Sequence, residues 1–219
     1  MRRGTYAQTD SNRREFLEAV AAITALPVLG SRVHGVVHRR LAFADDPFSL
    51  GVTSGDPAPD GFVIQTRLAP RPTEGGGMPA GNVEVRYEIA SDEAMKTVVK
   101  RGRAVATPQL GHSVHVEVHG LEPDRWYWYR FTAGDAQSRT GRVRTTPRNM
   151  TLSKELNFAF VSCQHYESGL FTGFGHMARE NLDLVVHLGD YIYEYAGIDG
   201  RVRKHVGPEI TTLDHYRNR

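Results

Sequence analysis

Cysteine, excess charge of one sign and long apolar runs are all scarce in this sequence. Cys163 is the single cysteine among 219 residues, so the chain cannot form an internal disulfide, and a disulfide-rich secreted scaffold is excluded. Lys and Arg number 27 and Asp and Glu number 25, a balance that predicts no nucleic-acid-binding surface. A hydrophobic content of 40% is ordinary for a globular protein. One or two domains, each held by its own core, fit these values.

The first 44 residues have the order of an export signal. Basic residues come first, and a short apolar stretch follows at 19–30. The stretch is shorter than the about 20 apolar residues that a membrane-spanning helix needs, and Pro27 interrupts it, so we expect no stable membrane span. Residues 42–44 read Ala-Phe-Ala, which predicts signal-peptidase cleavage before Asp45. A short amphipathic helix is the alternative interpretation.

A pair of arginines precedes the apolar stretch. Arg13 and Arg14, followed by Phe16 and Leu17, resemble a twin-arginine signal, although Asn12 replaces the usual Ser or Thr. The resemblance implies that the twin-arginine translocase exports the protein in a folded state. We therefore expect a signal peptide over 1–44 and a periplasmic, cell-wall-associated or secreted protein.

Residues 45–147 alternate between apolar and polar side chains in short runs. The runs that read as strands are 62–68, 83–89, 113–118, 126–131 and 141–145. Turn-forming residues occupy 56–61 and 73–77, and a helix is suggested only at 91–100. The pattern predicts an antiparallel β-sandwich of the fibronectin III or immunoglobulin-like kind.

The aromatic residues of this region suggest how its core is built. Residues 120–127 resemble the Leu-Pro-Tyr stretch of fibronectin III domains, in which a corner tyrosine bonds to the upstream backbone, and Tyr127 would be that corner. Tyr127, Tyr129 and Phe131 share one strand face, which favours core packing over a ligand-binding aromatic platform. His115 and His119 lie opposite the valines and are expected in solvent.

Residues 156–219 show a different pattern. Two nearly continuous apolar runs, at 156–163 and 182–190, flank a segment at 169–181 with helical spacing. A strand–helix–strand unit of this kind makes neighbouring parallel strands. Because ligands bind beyond the carboxyl ends of such strands, Cys163 and Asp190 are expected at one edge of the sheet.

Tyr193 follows Asp190 by three residues, and this spacing has a chemical meaning. Gly-Asp-x-x-Tyr resembles the second metal-binding block of purple acid phosphatases, in which the aspartate bridges two metals and the tyrosine binds ferric iron. Anionic oxygen and thiolate donors favour a hard, oxidised ion. The structural alternative is a buried cysteine, a turn-capping aspartate and a packed tyrosine. His165 and His187 are not counted as ligands.

Four sequence blocks occur in the order of one family. The signal, residues 50–57 (Leu-Gly-Val-Thr-Ser-Gly-Asp-Pro), residues 162–164 (Ser-Cys-Gln) and residues 189–195 (Gly-Asp-Tyr-Ile-Tyr-Glu-Tyr) resemble the PhoD-type alkaline phosphatases and phosphodiesterases. The resemblance implies that Cys163, Asp190 and Tyr193 bind Fe(III) and that Asp190 also bridges to Ca²⁺. It further implies hydrolysis of phosphomonoesters or phosphodiesters by a metal-activated water.

The same resemblance implies a longer enzyme. A metallophosphoesterase domain needs later strands that supply Asn, His and further Asp ligands, and such a block is not found by Arg219. We therefore expect 156–219 to be an incomplete catalytic domain and the chain to be the N-terminal, inactive portion of the enzyme. The alternative is a non-enzymatic extracellular β-sandwich module that binds a partner.

Overall fold

The computed structural model describes residues 41–151, 153 and 155–219. Ten strands and two short α-helices follow one another in this part of the chain. The strands are β1 (Val52–Ala58), β2 (Gly61–Arg67), β3 (Val83–Ala90), β4 (Val98–Ala106), β5 (Ser113–Val118), β6 (Trp126–Ala133), β7 (Ala136–Gln137), β8 (Gly141–Arg144), β9 (Phe158–Val161) and β10 (Leu184–His187). The helices are α1 (Thr172–Met177), between β9 and β10, and α2 (Leu213–Asn218).

The first eight strands form two antiparallel sheets. One sheet has the order β1-β2-β5, and the other has the order β4-β3-β6-β7, with β8 pairing with the remaining part of β6. Buried side chains from both sheets form one core cluster, which includes Ile64 of β2, Val118 of β5, Ile89 of β3 and Phe131 of β6. The predicted antiparallel β-sandwich is confirmed.

Strand β6 carries the aromatic part of this core. Its burial alternates along the strand, so that Tyr127, Tyr129 and Phe131 are buried whereas Trp126 and Trp128 are half-buried. The backbone N–H of Glu122 donates to the hydroxyl of Tyr127 at 3.0 Å, which is the corner contact expected from the sequence. The prediction that these three rings pack in the core, and not on a ligand-binding surface, is confirmed.

The helix suggested at 91–100 is wrong. Residues 91–95 form a turn in which the carboxylate of Asp92 accepts the backbone N–H groups of Lys96 at 3.1 Å and Thr97 at 2.6 Å. Strand β4 follows and pairs with β3, with Tyr87 opposite Gly102. The hydrogen bonds to Asp92 favour a turn because they give the backbone N–H groups partners outside a helix.

The segment before β1 belongs to the sandwich in part. Leu41 and Phe43 pack against the core cluster, and cleavage before Asp45 would remove these contacts. The cleavage position stays a prediction, and the paired arginines of the signal lie outside the described residues. Within the described part of the chain, no helix is long and apolar enough to cross a membrane.

Strands β9 and β10 form a second, parallel sheet. Leu184 pairs with Phe158 and His187 with Val161, and α1 lies between the strands in sequence, as the predicted strand–helix–strand unit requires. The side chains are less buried than the apolar runs suggested, since Phe160 is 67% exposed. The two strands have no further neighbour in their sheet among the described residues.

The residues around this sheet also contact the sandwich. Arg144 of β8 forms an ion pair with Asp183, just before β10, and a second one with Asp124 at 2.6 Å. Farther along the chain, Arg67 of β2 donates to the backbone oxygen of Arg217 in α2 at 2.9 Å. The segment before β10 and the helix α2 are therefore both bonded to strands of the sandwich.

Candidate metal centre

The carboxyl ends of β9 and β10 place Cys163 and Asp190 side by side. The backbone N–H of Cys163 donates to the backbone oxygen of Gly189 at 3.1 Å, which joins the two strand ends. Cys163 has φ 53° and Asp190 has φ 51°, values in the left-handed region that cost free energy for residues with a side chain.

Tyr193 completes the group at this edge. The thiol of Cys163 donates to Oδ2 of Asp190 over 3.6 Å, and the hydroxyl of Tyr193 donates to the same oxygen at 3.2 Å. The three side chains predicted from the sequence as metal ligands therefore meet at one carboxylate oxygen. We call them the Cys-Asp-Tyr cluster.

The chemistry of this cluster fits a metal cation. Burial raises the pKa of Tyr193 to about 12, and the hydrogen bonds and negative charges of Cys163 and Asp190 act in the same direction. A cation among the three side chains would stabilise negative charge on each of them. Thiolate, carboxylate and phenolate together are a donor set for a transition metal. Cys163, Asp190 and Tyr193 could hold such an ion.

Backbone contacts fix the segment that carries Tyr193. The side-chain amide of Gln164 donates to the backbone oxygen of Tyr191 at 3.2 Å. The guanidinium of Arg219 donates to the backbone oxygens of Tyr193 and Tyr195, the latter at 2.9 Å. These bonds hold the tyrosine backbone from two sides, so that the phenol is positioned next to Asp190.

A second group of potential metal ligands lies beside this cluster. His165, Glu167 and His205 each offer one ligand atom, and the three atoms lie within 4.8 Å of one another. The ring of His165 contacts the ring of Tyr193 edge-on, with 4.7 Å between the centroids. The described residues thus contain a possible His-Glu-His metal site, which we call the His-Glu-His cluster.

Two members of the second group, Glu167 and His205, were not predicted from the sequence. Glu167 is two residues after His165, and a His-x-Glu spacing is a signal that could have drawn attention to it. His205 lies 38 residues after Glu167 and follows no strand, so its position gives no such signal; its backbone N–H reaches Glu167 at 2.9 Å. His165 and His187 were not predicted as ligands, and the structure brings only His165 into the second group.

The described fold is a β-sandwich joined to the start of a parallel α/β unit with potential metal ligands at its carboxyl edge. Two family descriptions match the chain: PhoD-like phosphatase, N-terminal domain, over residues 35–147, and PhoD-like phosphatase over residues 158–219. The chain belongs to the PhoD-like phosphatase family.

Two relatives are much longer than this chain. Alkaline phosphatase D of Bacillus subtilis (strain 168) is 46% identical over an alignment of 217 positions that covers 95% of this chain and 37% of that protein. A solved structure described as the structure of PhoD is 50% identical, with a TM-score of 0.80 over 82% of this chain and 35% of that one. The chain thus spans little more than a third of each relative and corresponds to its N-terminal portion.

Proposed function

We propose that this chain is the N-terminal portion of an exported alkaline phosphatase and phosphodiesterase. The observation that carries the proposal is the meeting of Cys163, Asp190 and Tyr193 at one carboxylate oxygen. Membership of the PhoD-like phosphatase family and the likeness to alkaline phosphatase D support phosphoester hydrolysis as the reaction. We assign the signal peptide to 1–44, the sandwich to 45–147 and the catalytic portion to 156–219.

The Cys-Asp-Tyr cluster would hold Fe(III). Two of its donors are anionic oxygens and the third is a thiolate, a combination that stabilises the oxidised ion. Ca²⁺, which prefers oxygen ligands, is the second ion that we propose, and the carboxylate of Asp190 would contribute to holding it. Metal ions in such a site lower the pKa of a bound water and stabilise negative charge on phosphoryl oxygens.

The role of this chain's own residues is to position these groups. Cys163 and Tyr193 converge on Oδ2 of Asp190. Two-metal hydrolysis needs both ions held about 3.5–4 Å apart, and three side chains do not provide enough ligands for that. We therefore expect the 219-residue chain by itself to lack useful hydrolytic activity.

The proposed activity can be tested on the complete protein that contains this chain. We expect it to hydrolyse both a chromogenic phosphomonoester and a chromogenic phosphodiester, and we expect prolonged treatment with a chelator to abolish the activity. The Asp190→Asn variant should be at least about 100-fold slower, because it loses the carboxylate between the proposed cations. Hydrolysis that survives both chelation and the Asp190→Asn change would exclude the proposed site.

Export through the twin-arginine translocase is a separate prediction. Replacing Arg13 and Arg14 together by Lys keeps the charge but removes the arginine pair that precedes Phe16 and Leu17, and transport should stop. The measurement is the fraction of complete protein found outside the cytoplasm. Replacing Arg2 and Arg3 by Lys is the matched control and should leave that fraction unchanged. Equal secretion of both double variants would refute the assignment.

A further inference from the structure

The His-Glu-His cluster has donors that the Cys-Asp-Tyr cluster lacks. Glu167 lies in the short 3-10 turn Tyr166–Ser168 and His165 directly before it, whereas His205 comes from the loop between β10 and α2. Two imidazoles and one carboxylate suit Zn²⁺ and similar divalent ions, in contrast to the all-oxygen sites that Ca²⁺ prefers. The chemistry of this cluster is therefore distinct from that of its neighbour.

Glu167 is the most deeply buried member of the cluster. Its side chain is 1% exposed, and its Oε1 accepts the backbone N–H groups of Ile198 at 3.0 Å and His205 at 2.9 Å. No hydrogen bond found in the described part of the chain ends on Oε2, which leaves one oxygen of a buried carboxylate for a cation.

The two imidazoles are placed to complete a cation site. The hydroxyl of Ser168 lies 2.8 Å from Nδ1 of His165. A hydrogen bond to one ring nitrogen is what orients a histidine whose other nitrogen binds a metal. Nε2 of His205 is buried and has no hydrogen-bond partner among the described residues. An unpaired buried ring nitrogen is costly, and coordination of a cation is one way to satisfy it.

The spacing of the three ligand atoms is compatible with this interpretation. Because the atoms lie within 4.8 Å of one another, some point lies no more than about 2.8 Å from all three, against a Zn–N distance of about 2.0–2.1 Å. A movement of less than about 1 Å for each atom would close the site. The rings are on partly exposed side chains that can make such an adjustment.

We propose that His165, Glu167 and His205 form a Zn²⁺ site that joins the loop carrying His205 to the turn after β9. Glu167 already holds this loop through two backbone N–H groups, and the ion would add a bond to the side chain of His205. Since the ring of His165 contacts Tyr193, the site would also support the wall of the Cys-Asp-Tyr cluster. The proposal does not depend on the reaction that the complete protein performs.

Metal binding by the 219-residue chain tests this proposal. The metal-free Cys163→Ser variant is titrated with Zn²⁺ in a calorimeter, so that the thiol cannot contribute. We expect one tightly bound equivalent, with affinity lowered at least about 100-fold by His165→Gln or His205→Gln in the same background. His176→Gln is the control and should bind normally, because His176 of α1 contacts Arg179 and is outside the cluster. Circular dichroism verifies that each variant is folded.

Co²⁺ gives a second readout that separates the two clusters. Co²⁺ held by nitrogen and oxygen donors shows weak visible bands, whereas a thiolate ligand adds an intense near-ultraviolet charge-transfer band. We expect the weak bands in Cys163→Ser and their loss in Cys163→Ser with His205→Gln. A stoichiometric site lost in Cys163→Ser but retained in His205→Gln would overturn the zinc proposal while leaving the Cys-Asp-Tyr cluster intact. Absence of bound Zn²⁺ from folded Cys163→Ser protein would also overturn it.

Discussion

Replacing Cys163 by Ala in the complete protein is expected to bleach its visible colour and to slow phosphoester hydrolysis at least about 100-fold. Electrons on a thiolate or a phenolate can move to ferric iron on absorption of visible light, so the proposed Fe(III) site would be coloured. Cys163 shares Oδ2 of Asp190 with Tyr193, and loss of the thiol removes one of three anionic donors. The measurements are the absorption spectrum, the iron content and the rate on one chromogenic ester.

Tyr193→Phe tests the phenolate in the same way and has a matched control. We expect this variant to lose or shift the colour and to bind iron more weakly, since the ring stays in place but the donor oxygen is gone. Tyr195 lies two residues farther along the same segment and is 59% exposed, so Tyr195→Phe should leave colour and rate unchanged. A coloured, fully active Cys163→Ala enzyme would show that the thiol is not a ligand, whatever Tyr193→Phe does.

The three residues of this cluster could be identified from sequence because each lies at or near a strand end. Cys163 and Asp190 follow two apolar runs that predict parallel strands, and parallel strands bring their carboxyl ends to one edge. Tyr193 follows at a fixed spacing in the same segment. The topological rule predicted that Cys163 and Asp190 lie close together, and the structure shows this contact; Tyr193 was added by the resemblance of Gly-Asp-x-x-Tyr to a phosphatase metal-binding block, and the role of all three as ligands stays a prediction.

His205 could not be found in this way because it reaches the site through a long loop. Nothing in its local sequence indicates that its backbone N–H will bond to Glu167, which is 38 residues away. Glu167 itself looks like an exposed turn residue in the sequence, although the structure buries it. The contacts of an irregular segment depend on where the whole loop lies in the folded protein. Hydrophobic periodicity predicts helices and strands but not the position of a loop.

Strand β4 was not among the strands predicted from the sequence, and the reason is visible in its packing. Gly102 and Ala104 stand at alternate positions of β4, where large apolar side chains would be expected, so the apolar alternation typical of a strand is weak. A Cβ at Gly102 would collide with the ring of Tyr87, whose phenol lies over this glycine. The ring of Tyr87, on the neighbouring strand β3, therefore fills the space above Gly102. The sequence of β4 alone does not indicate this packing.

Removing the ring of Phe131 is expected to produce the largest loss of stability in the sandwich. Phe131 is fully buried in the middle of β6 and packs edge-on against Tyr129, with 6.2 Å between the ring centroids. Phe131→Ala removes this apolar surface from the core and leaves a cavity, which costs about 3–5 kcal/mol of the free energy of unfolding. A domain typically has a free energy of unfolding of about 5–15 kcal/mol, so a loss of this size removes a large part of its stability.

Denaturant unfolding of the 219-residue chain, followed by tryptophan fluorescence, measures this effect because Trp126 and Trp128 lie on the same strand. Val105→Ala is the control: Val105 is 55% exposed on β4, and its truncation should change the free energy of unfolding by no more than about 0.5 kcal/mol. If Phe131→Ala cost as little as Val105→Ala, the ring could not be part of a close-packed core. The inward face of β6, from which the sandwich was predicted, would then be misassigned.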